Sequence, residues 1–233
     1  MDTLAEATVQ SLQLLLSGDA ELWAIILLSF SVSLRAIAIA TPVALLLAFG
    51  LAHLRFPGRR VLISTFGALQ SIPAVVVGLT VYLTFSRSGP LGDLRLLFTQ
   101  TAMIVGQILL CLPLLVALCH AAFQGADRRV WETALTLGAS PLRALFTLMH
   151  EVRFGLIAAI LTGFGRIIAE VGCSMMVGGN ILNHTRNVPT AIAMETSKGD
   201  FAQAIALGAV LLLMALGLNG VLAFMQGHGS IAR

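Results

Sequence analysis

The chain has 233 residues, of which 58% are hydrophobic and only 11% are charged. A soluble globular domain has about a quarter charged residues, so this composition excludes a soluble fold and predicts a membrane protein with one helical bundle. The net charge of +3 does not indicate nucleic-acid binding, because the basic residues lie scattered between apolar runs, a distribution that membrane topology explains.

The apolar runs predict an all-α membrane protein with five transmembrane helices. Residues 1–21 form an amphipathic segment that we expect at the membrane interface. The membrane domain is expected to cover residues 22–228. Its spans are predicted at about residues 31–54, 61–86, 97–123, 154–178 and 201–226, and a polar loop over residues 179–200 precedes the last one.

Three prolines and one long apolar run change the expected shape of these spans. Residues 22–54 would measure about 50 Å as one helix, too long for an upright span, so residues 22–30 are expected to rest in the outer interface. Pro42, Pro73 and Pro113 lie in the first three spans, one in each, and predict kinks.

Basic residues orient the spans. The side that holds residues 55–60, residues 128–153 and the C-terminus carries eight arginines, against four basic residues on the opposite side. Because cytoplasmic loops are enriched in Lys and Arg, the C-terminus is predicted to be cytoplasmic and the N-terminus outside.

The three cysteines, Cys111, Cys119 and Cys173, lie within apolar runs without metal-ligand spacing. We therefore expect them to be buried apolar side chains and expect no metal site.

A short polar segment over about residues 130–141 is predicted to form a cytoplasmic coupling helix. It contains Glu132-Thr133-Ala134, then Gly138 and Ala139. Glu132 supplies a fixed charge, and the short side chains at 133, 134, 138 and 139 allow a sharp turn and close approach of another surface. The pattern resembles the signature of permease subunits of bacterial ABC importers, which opens Glu-Ala-Ala, then three residues, then Gly. Thr133 replaces an alanine of that signature, and its closing Leu-Pro is His150-Glu151 here.

The resemblance implies that this segment sits in a groove of a separate ATPase subunit. It assigns the coupling role to Glu132, Thr133, Ala134, Gly138, Ala139 and, at a hydrophobic position of the signature, Leu148. The only lysine, Lys198, is not part of a Gly-Lys-Ser/Thr phosphate loop. We therefore expect a transport subunit rather than an enzyme, with no cofactor of its own, and with ATP and Mg bound by the partner ATPase.

Two further stretches narrow the resemblance. The residues from Gly163 to Gly172, with Gly178-Gly179-Asn180, are similar to the oxyanion branch of these permeases, which imports molybdate, tungstate and sulfate. The stretches 88–92 and 195–201 look most like the tungstate permease subunits. The resemblance implies the type I ABC importer permease fold, a homodimer with one path between its copies, and a multi-pass location in a bacterial or archaeal plasma (inner) membrane. The implied partners are two ATP-binding subunits, a periplasmic or lipid-anchored oxyanion-binding protein and membrane lipid.

Two charges, Arg166 and Glu170, lie four residues apart inside the predicted fourth span. Charges at that depth must pair or face water, and this spacing puts both on one face of a helix. One interpretation is a structural salt bridge. In the other, the pair lines the translocation path, where Arg166 attracts an oxyanion and Glu170 limits how long it stays. Gly172, Met175 and Met176 would then follow along the path, with the methionines as a dry gate or as core filling.

The residues leave several alternatives open. Molybdate or sulfate could replace tungstate, because such systems select the anion with the soluble binding protein. An amino-acid permease of similar layout would differ mainly in that partner. A membrane scaffold without a transport path belongs to another class, and it predicts that Arg166 and Glu170 pair within one subunit and that no ATPase is needed.

Overall fold

The computed structural model describes residues 17–54 and 56–231, and over these residues it contains ten α-helices, one 3₁₀ turn and no strand. The prediction of an all-α fold is confirmed for this part of the chain. Residues 1–16, most of the predicted interface segment, lie outside the described residues. In chain order the helices are α1 (Ala20–His53), α2 (Arg59–Leu69), α3 (Ala74–Phe85), α4 (Gln100–Gln124), α5 (Arg128–Thr136), α6 (Pro141–Glu151), α7 (Arg153–Ile168), α8 (Gly172–Gly178), α9 (Val188–Lys198) and α10 (Phe201–Ile231).

Three helices are long and apolar enough to cross a membrane, namely α1, α4 and the part of α10 over Phe201–Val221. Two further pairs qualify only if each bent pair counts as one span: α2 with α3, bent by 99°, and α6 with α7, bent by 75°. By length and composition, residues 17–54 and 56–231 therefore contain three to five candidate spans.

Helix α1 begins at Ala20, well before the predicted start of the first span at residue 31. Asp19 caps it by accepting a 2.8 Å hydrogen bond from the Leu22 N–H. Its first turns are buried against α9 and α10, in a cluster that contains Leu22, Ile25, Ile26, Val188, Ala191, Ala206 and Leu207. This packing accounts for the continuous helix over residues 22–30, where the sequence suggested a separate interface segment.

The predicted second span is two helices rather than one kinked helix. Helix α2 ends where the N–H groups of Ser71 and Ile72 bond back to Ala68 and Leu69, and α3 starts where the Pro73 carbonyl accepts from the Val76 N–H at 2.9 Å. Because proline has no N–H and its ring clashes with the preceding turn, the helix cannot continue through residue 73. Pro42 and Pro113, by contrast, lie inside the continuous helices α1 and α4.

Two other boundaries differ from the prediction. The expected fourth span over residues 154–178 is divided into α7 and α8 by a break at residues 169–171, and the expected polar loop over 179–200 contains α9. Asn187 starts α9 with a capping box, in which its side chain accepts from the Thr190 N–H at 3.1 Å. Val188, Ala191 and Glu195 are buried on the inner face of this helix, so tertiary packing stabilises it.

Helices α1 and α4 form the centre of the bundle. Every fourth residue of α1 from Ala36 to Ala48 is alanine and fully buried, which lets the α4 backbone approach closely. The three cysteines are free and buried, as predicted.

Candidate functional site

The break between α2 and α3 lies next to the break between α7 and α8. Helix α3 packs against α8 so closely that a Cβ atom added at Gly78 would lie 2.9 Å from the Cys173 Cα, and one added at Gly172 would lie 2.7 Å from a Val75 methyl group. The first turns of α3 and α8 are therefore in direct contact. These contacts place residues 70–73 and residues 169–171, which have irregular backbone, next to each other.

Glu170 lies in the break between α7 and α8, and only 7% of it is exposed. One carboxylate oxygen accepts a 3.0 Å hydrogen bond from Nη1 of Arg166. The other accepts from the N–H groups of Gly172, at 2.8 Å, and Cys173, at 3.4 Å. The ion pair expected from the spacing of the charges is present. Glu170, however, is not on a continuous helix with Arg166, and it caps the first turn of α8 as well as balancing the arginine.

Arg166 faces a cavity of about 510 Å³ between α2, α3 and α4. Its side chain is 45% exposed, and among the described residues that line the cavity it is the only charged one. Gln70 and Thr80 add polar groups to a lining that is otherwise apolar. Since Nη1 alone is bonded to Glu170, the Nε and Nη2 groups of Arg166 have no partner among the described residues. A guanidinium in this position can donate hydrogen bonds to an anion that enters the cavity.

Gln107 of α4 contacts the end of α7 just before the break. It is 1% exposed and donates from Nε2 to the Ile167 carbonyl at 3.3 Å. The Glu170 N–H bonds to the same carbonyl at 3.2 Å. Sequence reasoning missed Gln107 and Gln70, although a lone amide within an apolar run is a signal that could have identified both.

The methionines predicted to lie along the path have different surroundings. Met175 is 39% exposed, whereas Met176 is half-buried and packs against α3, with its Sδ atom 3.3 Å from a Cβ added at Gly78. Gly172 is half-buried at the start of α8. The structure therefore places Arg166, Glu170, Gly172 and Met176 together around one junction.

The predicted coupling helix over residues 130–141 is shorter than expected, because α5 ends at Thr136. Its end is a Schellman motif: the Ala139 N–H bonds to the Ala134 carbonyl, and the Gly138 N–H to the Leu135 carbonyl, both at 3.0 Å. Gly138 has φ +84°, a conformation that glycine adopts without strain. The sharp turn expected from the short side chains is thus present, and α6 starts after it with Ser140 as its cap.

The predicted coupling residues fall into two groups. Glu132, Thr133 and Gly138 are exposed, and Ala134 and Ala139 are half-buried beside them. Leu148 is 1% exposed in the core between α4, α6 and α7. It cannot itself contact another protein in this arrangement, so its contribution is to anchor α6 to the bundle.

A second group of charges, which sequence reasoning did not identify, joins α1 to α9. Arg186 lies 3.5 Å from Glu21 and 3.8 Å from Glu195, and Lys198 lies 3.0 Å from Glu195. Glu195 is 4% exposed, so its carboxylate depends on these two cations. Over residues 17–54 and 56–231, no group of three or more His, Cys, Asp and Glu residues could hold a metal ion.

No family model matches the chain. It is 39% identical over 226 residues to the tungstate uptake system permease protein TupB of Peptoclostridium acidaminophilum, with 97% of this chain and 99% of that protein covered. It is 45% identical over 149 residues to TupB of Campylobacter jejuni, with 64% and 62% covered. It is 28% identical over 188 residues to the molybdenum transport system permease protein ModB of Escherichia coli K12, with 76% and 82% covered.

A solved structure of an amino acid ABC transporter with histidines superposes with a TM-score of 0.68 at 14% identity, covering 92% of this chain and 96% of that one. At this identity the likeness concerns the fold alone.

Proposed function

Since this chain belongs to the tungstate and molybdate permease family of ABC transporters, we propose that it is the membrane subunit through which an ATP-driven importer moves tungstate into the cell. Like its relatives, it is a multi-pass membrane protein and a transport subunit rather than an enzyme. The observation that carries the proposal is Arg166, a cation that faces a cavity of about 510 Å³ where two broken helices meet.

In this proposal the junction of the broken helices forms one half of the path, and a second copy of the chain supplies the other half. Arg166 attracts the oxyanion with its free N–H groups. Glu170 competes for the same guanidinium at 3.0 Å, which keeps the anion from binding too tightly to leave. Gly172, Met175 and Met176 narrow the passage next to this pair.

The scaffold hypothesis predicted an ion pair within one subunit, and that pair is present. Two observations nevertheless favour transport. Arg166 is half-exposed to a cavity instead of being enclosed with its partner, and a relative matching nearly the whole chain is a permease. A purely structural pair would require neither the cavity nor the exposed guanidinium.

We assign the exposed face of α5 to the ATPase. Glu132, Thr133 and Gly138 present a charge, a short side chain and open backbone next to one another, while Leu148 fastens α6 to the core. Two ATP-binding subunits would carry the ATP and Mg on the cytoplasmic side of a homodimer, and an oxyanion-binding protein would deliver the anion from the outside. In this proposal the protein lies in the plasma membrane with its N-terminus outside, and α2 with α3 and the span that contains α7 are the second and fourth of five spans.

Reconstitution tests the proposal directly. Proteoliposomes that contain the permease with its cognate ATPase and binding protein should accumulate tungstate only when ATP is present on the side of the membrane where the ATPase lies. Calorimetry of the binding protein against tungstate, molybdate and sulfate identifies the selected anion. If the permease purifies without any ATPase, or if no tungstate is taken up in the presence of ATP, the result would favour the scaffold hypothesis.

A further inference from the structure

An aromatic cluster joins the short helix α5 to the C-terminal ends of α1 and α4. The ring of Trp131 lies 5.2 Å from that of Phe49 and 5.4 Å from that of His53, measured between ring centroids. Phe49 stacks on His53 at 4.5 Å and meets Phe123 edge-on at 5.9 Å. These separations lie within the range in which aromatic rings attract one another. Three helices therefore share one cluster of rings.

Trp131 stands next to Glu132, on the helix whose exposed face we assign to the ATPase. Helix α5 has only nine residues and lies between the turn at residues 125–127 and the turn at Gly138. If the ATPase displaced this helix, the two turns would absorb the movement unless a side chain transmitted it. Trp131 is half-buried, and its ring connects α5 to Phe49 and His53 of α1, whose rings in turn contact Phe123 of α4. Packed rings resist compression, so they can transmit the displacement.

The α1–α4 pair extends from this cluster to the junction that holds Arg166. The buried alanines of α1 pack tightly on α4, so the two helices should move as one body. Each of them touches α7 near the break. Phe30 of α1 lies 6.3 Å from Phe164 between ring centroids, and Gln107 of α4 donates to the Ile167 carbonyl at 3.3 Å. A continuous series of contacts therefore leads from Trp131 to the break between α7 and α8.

We infer that Trp131 is a positioning residue that passes a displacement of α5 to the α1–α4 pair, and through it to the break that carries Glu170. Trp131 touches neither substrate nor nucleotide in this role. The inference rests on the proposed function in one respect, that the ATPase binds the exposed face of α5. Removing the ring should uncouple the two activities, so that the ATPase still binds and hydrolyses ATP while the path responds weakly.

The test uses the complete complex of permease, ATPase and binding protein in proteoliposomes. The measured quantity is tungstate taken up per ATP hydrolysed. Trp131→Ala should lower this ratio about tenfold with the ATPase still bound, a size typical of a lost coupling contact. Trp131→Phe should restore most of the ratio, because a smaller ring still reaches Phe49. Phe49→Ala should reproduce the defect, and the double variant should fall no lower than the worse single variant, since both substitutions break the same contact.

The matched control is the chain's other tryptophan, Trp23, which is 45% exposed near the start of α1. Trp23→Ala should keep the wild-type ratio. If Trp131→Ala kept that ratio with the ATPase bound, the inference would be overturned and the proposed function would stand. Failure of the wild-type complex to take up tungstate would instead remove the proposed function. If the Trp131→Ala variant no longer binds the ATPase, the same ratio is measured for Trp131→Leu and Phe49→Leu, which retain apolar bulk. A lowered ratio in these variants supports the inference, and the wild-type ratio overturns it.

Discussion

Replacing Glu170 with glutamine would release Arg166 from its partner with little change in shape. The glutamine side chain has the same length, and its oxygen can still accept from the Gly172 N–H, which lies 2.8 Å from the carboxylate. It has no charge with which to hold the guanidinium at 3.0 Å. The substitution therefore separates the two duties of Glu170, since the cap of α8 is kept and the ion pair is lost.

The size of the effect follows from the type of hydrogen bond. A bond to a charged group contributes about 1.5–3 kcal/mol and a neutral one about 0.5–1.5 kcal/mol. The Arg166 side chain is 45% exposed, so solvent screens part of its attraction to Glu170. We therefore expect the substitution to remove about 1–2 kcal/mol of interaction free energy between the two side chains. If that free energy strengthens the hold of Arg166 on the anion, release slows about 5- to 30-fold.

The assay is tungstate uptake into proteoliposomes at equal incorporation of permease and ATPase. Glu170→Gln should assemble normally and take up tungstate about 5- to 30-fold more slowly with saturating loaded binding protein. Asp93→Asn, which neutralises an exposed carboxylate in the loop after α3, should leave uptake unchanged. Wild-type uptake by Glu170→Gln would refute the reasoning, because Arg166 would then be part of a structural pair and not of the path.

Three further substitutions and one control test the packing of α3, the turn at Gly138 and the buried charge of α9, with unfolding followed in detergent. Gly78→Ala puts a Cβ atom 2.9 Å from the Cys173 backbone and should cost about 1–3 kcal/mol, whereas Gly208→Ala, with nothing within 4 Å, should be neutral or stabilising. Gly138→Ala forces alanine to φ +84°, which costs about 1–2 kcal/mol, and it should weaken co-purification of the ATPase. If the ATPase still co-purifies as with the wild type, the turn at Gly138 is not part of the docking surface. Glu195→Gln deprives two cations of a carboxylate that is 4% exposed and should lower stability by about 1–3 kcal/mol, and an unaltered unfolding midpoint would show that these pairs contribute nothing.

The family and the overall plan could be predicted from the sequence because they depend on local or linear features. Apolar run length predicted the membrane class. The Glu132 motif indicated a permease of an ABC importer and the stretch from Gly163 to Gly172 its oxyanion branch, and both are confirmed by 39% identity to a tungstate permease over 97% of this chain. The sharp turn at Gly138 was predicted for the same reason. Glycine and its short neighbours determine that turn within a few residues.

The interior of the site could not be predicted in this way. A 3.6-residue period placed Arg166 and Glu170 on one helix, but it gave no indication that α7 stops at Ile168, because the break depends on Gln107 and on the close approach of α3 to α8. Helix α9 was expected to be a polar loop for a similar reason, since its buried face exists only against α1 and α10.

The sequence by itself therefore determined that this is a helical membrane permease of the oxyanion branch, with two unlike charges inside its fourth apolar run and a glycine turn at Gly138. Only the tertiary structure decided that Glu170 caps a separate helix, that Arg166 faces a cavity and that Leu148 is enclosed in the core. The physical reason is the range of the interactions. Hydropathy and turn conformation are properties of neighbouring residues, whereas helix breaks, cavities and buried charges depend on contacts between residues far apart in the chain.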